Sequence, residues 1–226
     1  MSQWPQAVLF DLDGTLADSF GAIAEALNAA LTAHGEPTRD LDWVKHHVGR
    51  GAAELLRDAL GHEAPEDRLR AVGHDFGLRY REIYLKGTLP MPGAQKVLTH
   101  VHQATGGKVG VVSNKHAALC RDWLRYWDLL RYVAAVSGPD TAGARKPDPG
   151  ALRPVLATLG VEPGDALLVG DMEVDVETGR ATGVPVVTVA GPSRSCEELA
   201  AAGADAILAD LRELPAWLAE HPVAPR

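Results

Sequence analysis

The sequence predicts an α/β fold: a Rossmann-like doubly wound parallel sheet with a small helical cap inserted after the first strand. From about residue 91 onward, short apolar runs alternate with helix-length segments. Continuous Val-rich runs of this kind are typical of strands that are buried on both faces of a parallel sheet. Residues 17–87 contain no convincing strand, although they directly follow a first apolar run, so we expect them to form a helical insert.

The first strand is predicted at the apolar run Ala7–Phe10. The insert that follows contains three segments with helical composition and end signals, Ser19–His34, Ala52–Leu60 and Glu66–Leu85. The β/α alternation resumes near Pro90. We therefore expect residues 1–16 and 90–226 to form the α/β core and residues 17–89 to form the cap.

The remaining strands of the core are predicted at five further apolar runs. These are Lys108–Ser113, Tyr132–Val136, Ala166–Gly170, Val184–Val189 and Ala206–Ala209. The segments between them are long enough for crossover helices. Pro147–Gly160 is one predicted helix, opened by prolines and closed by a glycine, and Cys196–Gly203 is another.

Composition excludes several classes of protein. With 226 residues, 46% hydrophobic and 23% charged, the chain is not of the disordered class. Its net charge of −8 argues against general binding to nucleic acid or anionic membranes. Met1–Pro5 lacks a basic segment, and no apolar stretch approaches the roughly 18 residues of a membrane span. Cys120 and Cys196 form no disulfide framework, which favours a reducing compartment. Together with the lack of a signal peptide or membrane span, this leads us to expect a soluble cytoplasmic protein.

The strongest chemical signal is Asp11-Leu12-Asp13-Gly14-Thr15, which directly follows a predicted buried strand. Alternate side chains of an extended strand point to the same side, so Asp11 and Asp13 would project together. They would do so at the carboxyl end of the strand, where open α/β sheets bind their ligands. Because two adjacent carboxylates repel each other, a cation or a shared proton must relieve the pair, and a hard cation such as Mg²⁺ fits because no soft ligands are present here.

A second carboxylate pair, Asp171 and Asp175, follows the predicted strand Ala166–Gly170. In a parallel sheet this brings Asp171 to the same edge as Asp11. Each aspartate alone could simply cap a helix, a common use of Asp after a strand. Two such motifs at one edge favour a metal site instead.

Two further strand ends offer groups that bind anions. Ser113 and Asn114 follow one strand, and Lys146 precedes a predicted helix. Ser113 and Lys146 could bind the oxygens of a phosphoryl group. The alternatives are a helix cap for Ser113-Asn114 and a solvated surface position for Lys146.

These motifs, taken in order, resemble those of the haloacid-dehalogenase-like superfamily, and the resemblance covers nearly the whole chain. Within the superfamily the sequence is most similar to phosphatases with a small helical cap, above all the phosphoglycolate phosphatases. The segments that carry the closer similarity are Phe10–Ser19, Val48–Ala52 with Leu55, Pro92–Ala94, Val112–Lys115 and Lys146–Pro149.

The resemblance implies a mechanism. Asp11 would attack phosphorus to form an aspartyl-phosphate, and Asp13 would protonate the leaving oxygen and later activate water. Mg²⁺ would be held by the Asp11 carboxylate, the Asp13 backbone carbonyl and Asp171, with Asp175 supporting the metal from close by.

The remaining motif residues would bind phosphate or arrange the loops around it. The resemblance implies that Ser113 and Lys146 stabilise the phosphoryl oxygens. Thr15 and Asn114 would orient the loops or touch the phosphate. In the cap, Gly49-Arg50-Gly51 is the candidate loop facing the site, where Arg50 could meet a substrate carboxylate. The alternative for Arg50 is an exposed side chain in a turn.

The sequence therefore predicts a Mg²⁺-dependent phosphomonoester hydrolase whose partner is a small phosphorylated metabolite, with 2-phosphoglycolate favoured. A sugar phosphate, a nucleotide or pyrophosphate remains an alternative substrate. A phosphomutase would need cap groups that hold a bisphosphate, and no clear set is present. Dehalogenation is disfavoured because it does not need the acid Asp13. A non-catalytic phosphate sensor is disfavoured because it could dispense with Asp11 or Asp13, which are both present. The sequence does not indicate an oligomeric state.

Overall fold

The computed structural model describes residues 5–221. Residues 1–4, which belong to the Met1–Pro5 segment, and residues 222–226 of the predicted core lie outside the described residues. The chain divides into two compact units. One comprises the chain up to Ala17 together with the chain from Pro90 onward, and the other comprises Asp18–Leu89.

The strands form one large sheet and one very small one. Their bounds are β1 (Ala7–Phe10), β2 (Ala17–Asp18), β3 (Leu89–Pro90), β4 (Val109–Val112), β5 (Ala135–Ser137), β6 (Ala166–Gly170), β7 (Val186–Val189) and β8 (Ala206–Leu208). β2 and β3 pair with each other, and the other six form a parallel sheet in the order β5-β4-β1-β6-β7-β8. Counted among the six alone, this is the strand order of Rossmann-type folds, so the predicted fold class is confirmed.

Four helices make up the unit Asp18–Leu89. They are α1 (Phe20–Ala33), α2 (Leu41–His47), α3 (Ala52–Leu60) and α4 (Glu66–Gly87). α1 buries Ile23, Leu27 and Leu31 at helical spacing, and α4 buries Phe76 and Tyr80. α2 was not predicted, because seven residues carry too little periodicity; it begins after Asp40, whose side chain accepts a hydrogen bond from the Trp43 N–H at 2.7 Å.

The helices of the other unit lie between and beyond its strands. They are α5 (Ala94–Ala104), α6 (Ala117–Tyr126), α7 (Pro139–Ala142), α8 (Arg153–Leu159), α9 (Glu173–Thr182), α10 (Cys196–Ala202) and α11 (Leu214–Glu220). The central strands β1, β4, β6 and β7 are buried along their whole length. On one face, Leu9 and Leu168 share a core with Val155 and Leu159 of α8.

Two predicted elements differ from the structure by more than two residues at one end. Pro147–Gly160 is not one helix: a short 3-10 turn covers Pro149–Ala151, and α8 begins only at Arg153. Proline has no N–H, so Pro149 and Pro154 cannot donate within a continuous helix. The run beginning at Tyr132 also starts late, since Leu130–Tyr132 is a 3-10 turn and β5 begins at Ala135.

None of the helices described in residues 5–221 is both long enough and apolar enough to cross a membrane.

Candidate active site

The candidate site lies at the carboxyl edge of the six-stranded sheet. β1 is hydrogen-bonded to β4 on one side and to β6 on the other, with Phe10 opposite both Val111 and Val169. The loops that begin with Asp11, Ser113 and Asp171 therefore start side by side. This is the arrangement that allows residues from distant parts of the chain to share one site.

A buried lysine lies between two of the aspartates. Lys146 Nζ is 2.8 Å from Asp11 Oδ1 and 2.7 Å from Asp175 Oδ1, and the lysine side chain is only 1% exposed. Burial lowers the pKa of Lys146, but the charges of Asp11 and Asp175 outweigh it and raise the pKa above its usual value. The lysine is therefore an ammonium ion held at the edge of the sheet.

Three buried carboxylates form a cluster that could hold a metal ion. Asp11, Asp171 and Asp175 each offer an oxygen, and these oxygens lie within 4.8 Å of one another. Burial raises the pKa of Asp11 to about 6, against the charge of Lys146, which lowers it. Burial, followed by the charges of Asp11 and Asp175, also raises the pKa of Asp171 well above its usual value. Like charges that are buried together destabilise the folded protein. A cation between them reduces this repulsion and lowers the pKa values of Asp11 and Asp171.

The surroundings of Asp171 fit a hard cation such as Mg²⁺. Thr15 Oγ1 donates a hydrogen bond to Asp171 Oδ1 at 3.0 Å, whereas no hydrogen bond of normal geometry from the described residues reaches the buried Oδ2; the nearby Ser193 hydroxyl lowers the pKa of Asp171 slightly against the effect of burial. Gly14, with φ of 92°, lies against this oxygen: a Cβ there would approach Asp171 Oδ2 to 2.1 Å. The glycine leaves space beside a carboxylate oxygen whose electron pairs are available, and Mg²⁺ prefers such oxygen ligands.

Asp175 ties the cluster to the backbone. Its Oδ2 accepts from the N–H groups of Asp171 and Met172 at 3.3 and 3.2 Å, while its Oδ1 contacts Lys146. Asp175 thus fixes the loop after β6 and the position of the lysine together.

Asn114 fastens the segment that carries Lys146. Its Nδ2 donates to the Lys146 carbonyl oxygen at 3.0 Å, and the Lys146 N–H donates to its Oδ1 at 2.8 Å. Thr15 and Asn114 both bind neighbouring loops in the structure, the first of the two roles that the resemblance left open. Ser113 Oγ accepts from the Lys115 N–H at 3.2 Å, so its hydroxyl proton can still be donated.

Asp13 lies at the same edge and is paired with Lys115. The Lys115 ammonium contacts Asp13 Oδ1, and the two side chains are 10% and 11% exposed. Asp13 is therefore more exposed than Asp11, whose side chain is 5% exposed. Its carboxylate does not belong to the cluster of Asp11, Asp171 and Asp175.

Residues 8–189 match the sequence profile of the haloacid dehalogenase-like hydrolases. The chain belongs to this family. The predicted family is thereby confirmed, over a match that includes β1, the helical unit and the strands up to β7.

Individual members of the family are similar over nearly their whole length. A phosphoglycolate phosphatase of Rhodospirillum rubrum is 39% identical, covering 95% of this chain and 91% of the relative. One of Cupriavidus necator is 36% identical, covering 97% of this chain and 95% of the relative. The crystal structure of a predicted phosphoglycolate phosphatase from Haemophilus somnus has a TM-score of 0.86 at 25% identity, covering 95% of this chain and 97% of that one.

Sequence reasoning missed two ion pairs at this family site. One is the pair of Lys115 with Asp13. Lys115 enters the sequence analysis only as the last residue of the motif Val112–Lys115. Its position two residues after Ser113, at the edge that carries Asp13, was the signal that could have predicted the pair. The second pair joins Arg194 to Glu173 by two hydrogen bonds, at 2.7 and 2.9 Å. It ties the loop after β7 to the start of α9, beside Asp171, and no local pattern in the sequence predicts it.

Arg50 belongs to the other unit. It lies between α2 and α3 and is exposed, flanked by Gly49 and Gly51 with φ of 122° and 95°. Positive φ values explain the two glycines at this turn. The role of Arg50 toward a substrate stays a prediction.

Proposed function

We propose that this chain is a Mg²⁺-dependent phosphomonoester hydrolase that acts through an aspartyl-phosphate on Asp11, with 2-phosphoglycolate as its substrate. The observation that carries the proposal is the buried group of Asp11, Lys146, Asp171 and Asp175 at one edge of the sheet. The substrate is supported by the relatives named phosphoglycolate phosphatase, 39% and 36% identical over 95% and 97% of the chain.

In the first step an oxygen of Asp11 forms a bond to phosphorus while the bond from phosphorus to the ester oxygen breaks. Asp13 gives its proton to that departing oxygen, which leaves as the alcohol. In the second step a water molecule attacks the phosphorus of the aspartyl-phosphate and gives a proton to Asp13. Inorganic phosphate leaves, and both aspartates return to their starting states.

The remaining groups of the core bind charge. Lys146 and the Ser113 hydroxyl would donate to the phosphoryl oxygens, where negative charge must be stabilised during transfer. Asp11, Asp171 and the backbone carbonyl of Asp13 would hold Mg²⁺, with Asp175 beside them. When bound, the ion supplies positive charge that offsets the repulsion between a carboxylate nucleophile and an anionic phosphate.

The helical unit, Asp18–Leu89, would act as the cap, which the sequence predicts at residues 17–89, of an α/β core at residues 1–16 and 90–226. In this role it would exclude water from the site and help to select the leaving group. Arg50 would bind the substrate carboxylate through paired N–H donors.

The test is phosphate release with and without Mg²⁺ from 2-phosphoglycolate, sugar phosphates, nucleotides and pyrophosphate. We expect a clear preference for 2-phosphoglycolate and a loss of at least about 1,000-fold in kcat for Asp11→Asn. Asp122→Asn, an exposed aspartate on α6, is the matched control and should change little.

Three outcomes would contradict parts of the proposal. Turnover that survives in Asp11→Asn would exclude Asp11 as the nucleophile. A preference for another ester would reassign the substrate. Binding of phosphate esters without turnover in the unaltered protein would favour a sensor.

A further inference from the structure

Lys115 is a cation at the candidate site that the proposed chemistry does not use. It lies in the loop after β4, where its N–H donates to Ser113 Oγ at 3.2 Å, and its ammonium pairs with Asp13 across 102 positions of sequence. Its side chain is 10% exposed, against 1% for Lys146, so a ligand in the site can reach it more easily.

We propose that Lys115 binds the carboxylate of the substrate and so makes the site specific for phosphate esters of 2-hydroxy acids. This inference rests on the proposed function, whose acid Asp13 fixes where the ester oxygen must lie. Lys115 would be a determinant of substrate specificity within the core, in addition to Arg50 of the helical unit.

The first argument is one of charge. Four carboxylates, those of Asp11, Asp13, Asp171 and Asp175, lie at this edge, and Lys146 is already held between two of them. A metal ion and Lys146 would serve the phosphoryl group. A substrate with a second anionic group is repelled by the carboxylates of Asp11, Asp171 and Asp175, so a further cation of the core, in addition to Arg50 of the helical unit, would favour its binding.

The second argument is one of connectivity. Asp13 must reach the ester oxygen to protonate it, so that oxygen lies within hydrogen-bond distance of the Asp13 carboxyl. In the ester of a 2-hydroxy acid, a single carbon separates this oxygen from the carboxylate. A cation that contacts Asp13 is therefore also placed to contact the carboxylate, and Lys115 is that cation.

The contact with Asp13 provides the alternative explanation, in which Lys115 only positions the acid. The two roles differ in one measurable way. A residue that only positions Asp13 affects every ester equally, whereas a residue that binds the carboxylate affects only esters that possess one.

The experiment compares 2-phosphoglycolate with 2-hydroxyethyl phosphate, a near-isostere in which a neutral hydroxymethyl group replaces the carboxylate. For Lys115→Met we expect the ratio of the two kcat/KM values to fall by roughly 30-fold or more, the size expected for a lost charge-assisted hydrogen bond. Lys115→Arg should restore part of the ratio. Lys96→Met, an exposed lysine on α5, is the matched control and should leave the ratio unchanged. Thermal unfolding of each variant verifies that it folds.

An equal fall for both esters, with an unchanged ratio, would overturn the proposal and assign Lys115 to positioning Asp13. The test also stands apart from the proposed function. If the unaltered protein hydrolyses neither ester, the proposed function fails, and calorimetric binding still decides the role of Lys115. The proposal is supported if the double variant Asp11→Asn/Lys115→Met binds 2-phosphoglycolate more weakly than Asp11→Asn does, while both bind 2-hydroxyethyl phosphate equally. It is refuted if both variants bind 2-phosphoglycolate equally.

Discussion

Asp11 and Asp171 hold a proton to a higher pH than exposed aspartates do. Burial raises the pKa of Asp11 from 3.8 to about 6, and that of Asp171 is raised in the same direction. The folded chain thus holds these protons more tightly than the unfolded chain. The stability that the Asp11 proton contributes is present below about pH 4 and is lost as the pH rises through about 6, and the upward pKa shift of Asp171 acts in the same direction.

The upward shift of the Asp11 pKa predicts how Mg²⁺ affects the thermal stability of the protein at different pH values. At pH 7.5 the carboxyl group of Asp11 is ionised and Mg²⁺ should raise the Tm clearly, whereas at pH 4.5 Asp11 holds a proton and the rise should be small. Scanning calorimetry at both pH values, with Mg²⁺ or a chelator, measures the difference. Asp171→Asn should lose the rise at pH 7.5; an undiminished rise would put the ion elsewhere.

Asn114 provides a second prediction at the scale of single residues. Replacing it with Ala removes both hydrogen bonds to the Lys146 backbone, which should lower the free energy of unfolding by about 1–3 kcal/mol. Because Lys146 loses its support, kcat/KM should also fall by about 10- to 100-fold.

Asn28 gives the matched control. It exchanges the same pair of bonds with the backbone of Arg39, both at 2.8 Å, in the helical unit. Asn28→Ala should cost a similar free energy of unfolding and change kcat/KM far less. Equal losses of activity in the two variants would show that the effect at Asn114 comes from general destabilisation.

At the scale of elements, the packing of α9 on β7 depends on one glycine. A Cβ at Gly179 would lie 2.0 Å from Val186 Cγ2 and 2.6 Å from the Val184 carbonyl oxygen. Alanine ordinarily stabilises a helix relative to glycine by up to about 1 kcal/mol. At position 179 an added Cβ would overlap with the backbone and with a buried side chain, so alanine should destabilise the protein.

We therefore expect Gly179→Ala to lower the free energy of unfolding by about 1–3 kcal/mol. Gly77→Ala, inside α4, meets nothing within 4 Å and should raise it by about 0.5–1 kcal/mol. Urea denaturation of both variants measures the two changes. A gain of stability in Gly179→Ala would show that α9 can shift away from β7 at little cost.

At the scale of the whole molecule, the two thiols report on folding. Cys120 is fully buried, and burial raises the pKa of its thiol well above the usual value, whereas Cys196 is exposed. The thiolate is the reactive form, so Cys120 should react only after the α/β unit opens. We expect a disulfide reagent at pH 8 to modify one thiol rapidly in the native protein and two in denaturant. Rapid modification of Cys120 in native Cys196→Ala would contradict this.

The fold class and the family were predictable because their signals are local. Strands buried on both faces must be apolar at every position, so β1, β4, β6 and β7 appear in the sequence as short Val- and Leu-rich runs. The residue after such a strand lies at its carboxyl end. For that reason the sequence alone assigns Asp11, Ser113 and Asp171 to one edge.

Short or interrupted elements were less predictable. α2 and α11 have seven residues each, so little periodicity marks them; α10 is as short, but it fills the interval between two predicted strands. The segment Pro147–Gly160 has the composition of a helix, but its prolines divide it into a 3-10 turn and α8.

By itself the sequence determined which residues stand at the ends of the strands, and hence the class of the site, since this depends only on neighbours in the chain. The tertiary structure decided which of them meet. Lys146 lies between Asp11 and Asp175, Lys115 pairs with Asp13, and Arg194 pairs with Glu173, in each case from segments that are far apart in the sequence. These pairings depend on the order of strands in the sheet, with β1 between β4 and β6. That order is set by the burial of apolar surface over the whole core, a property that no single segment carries.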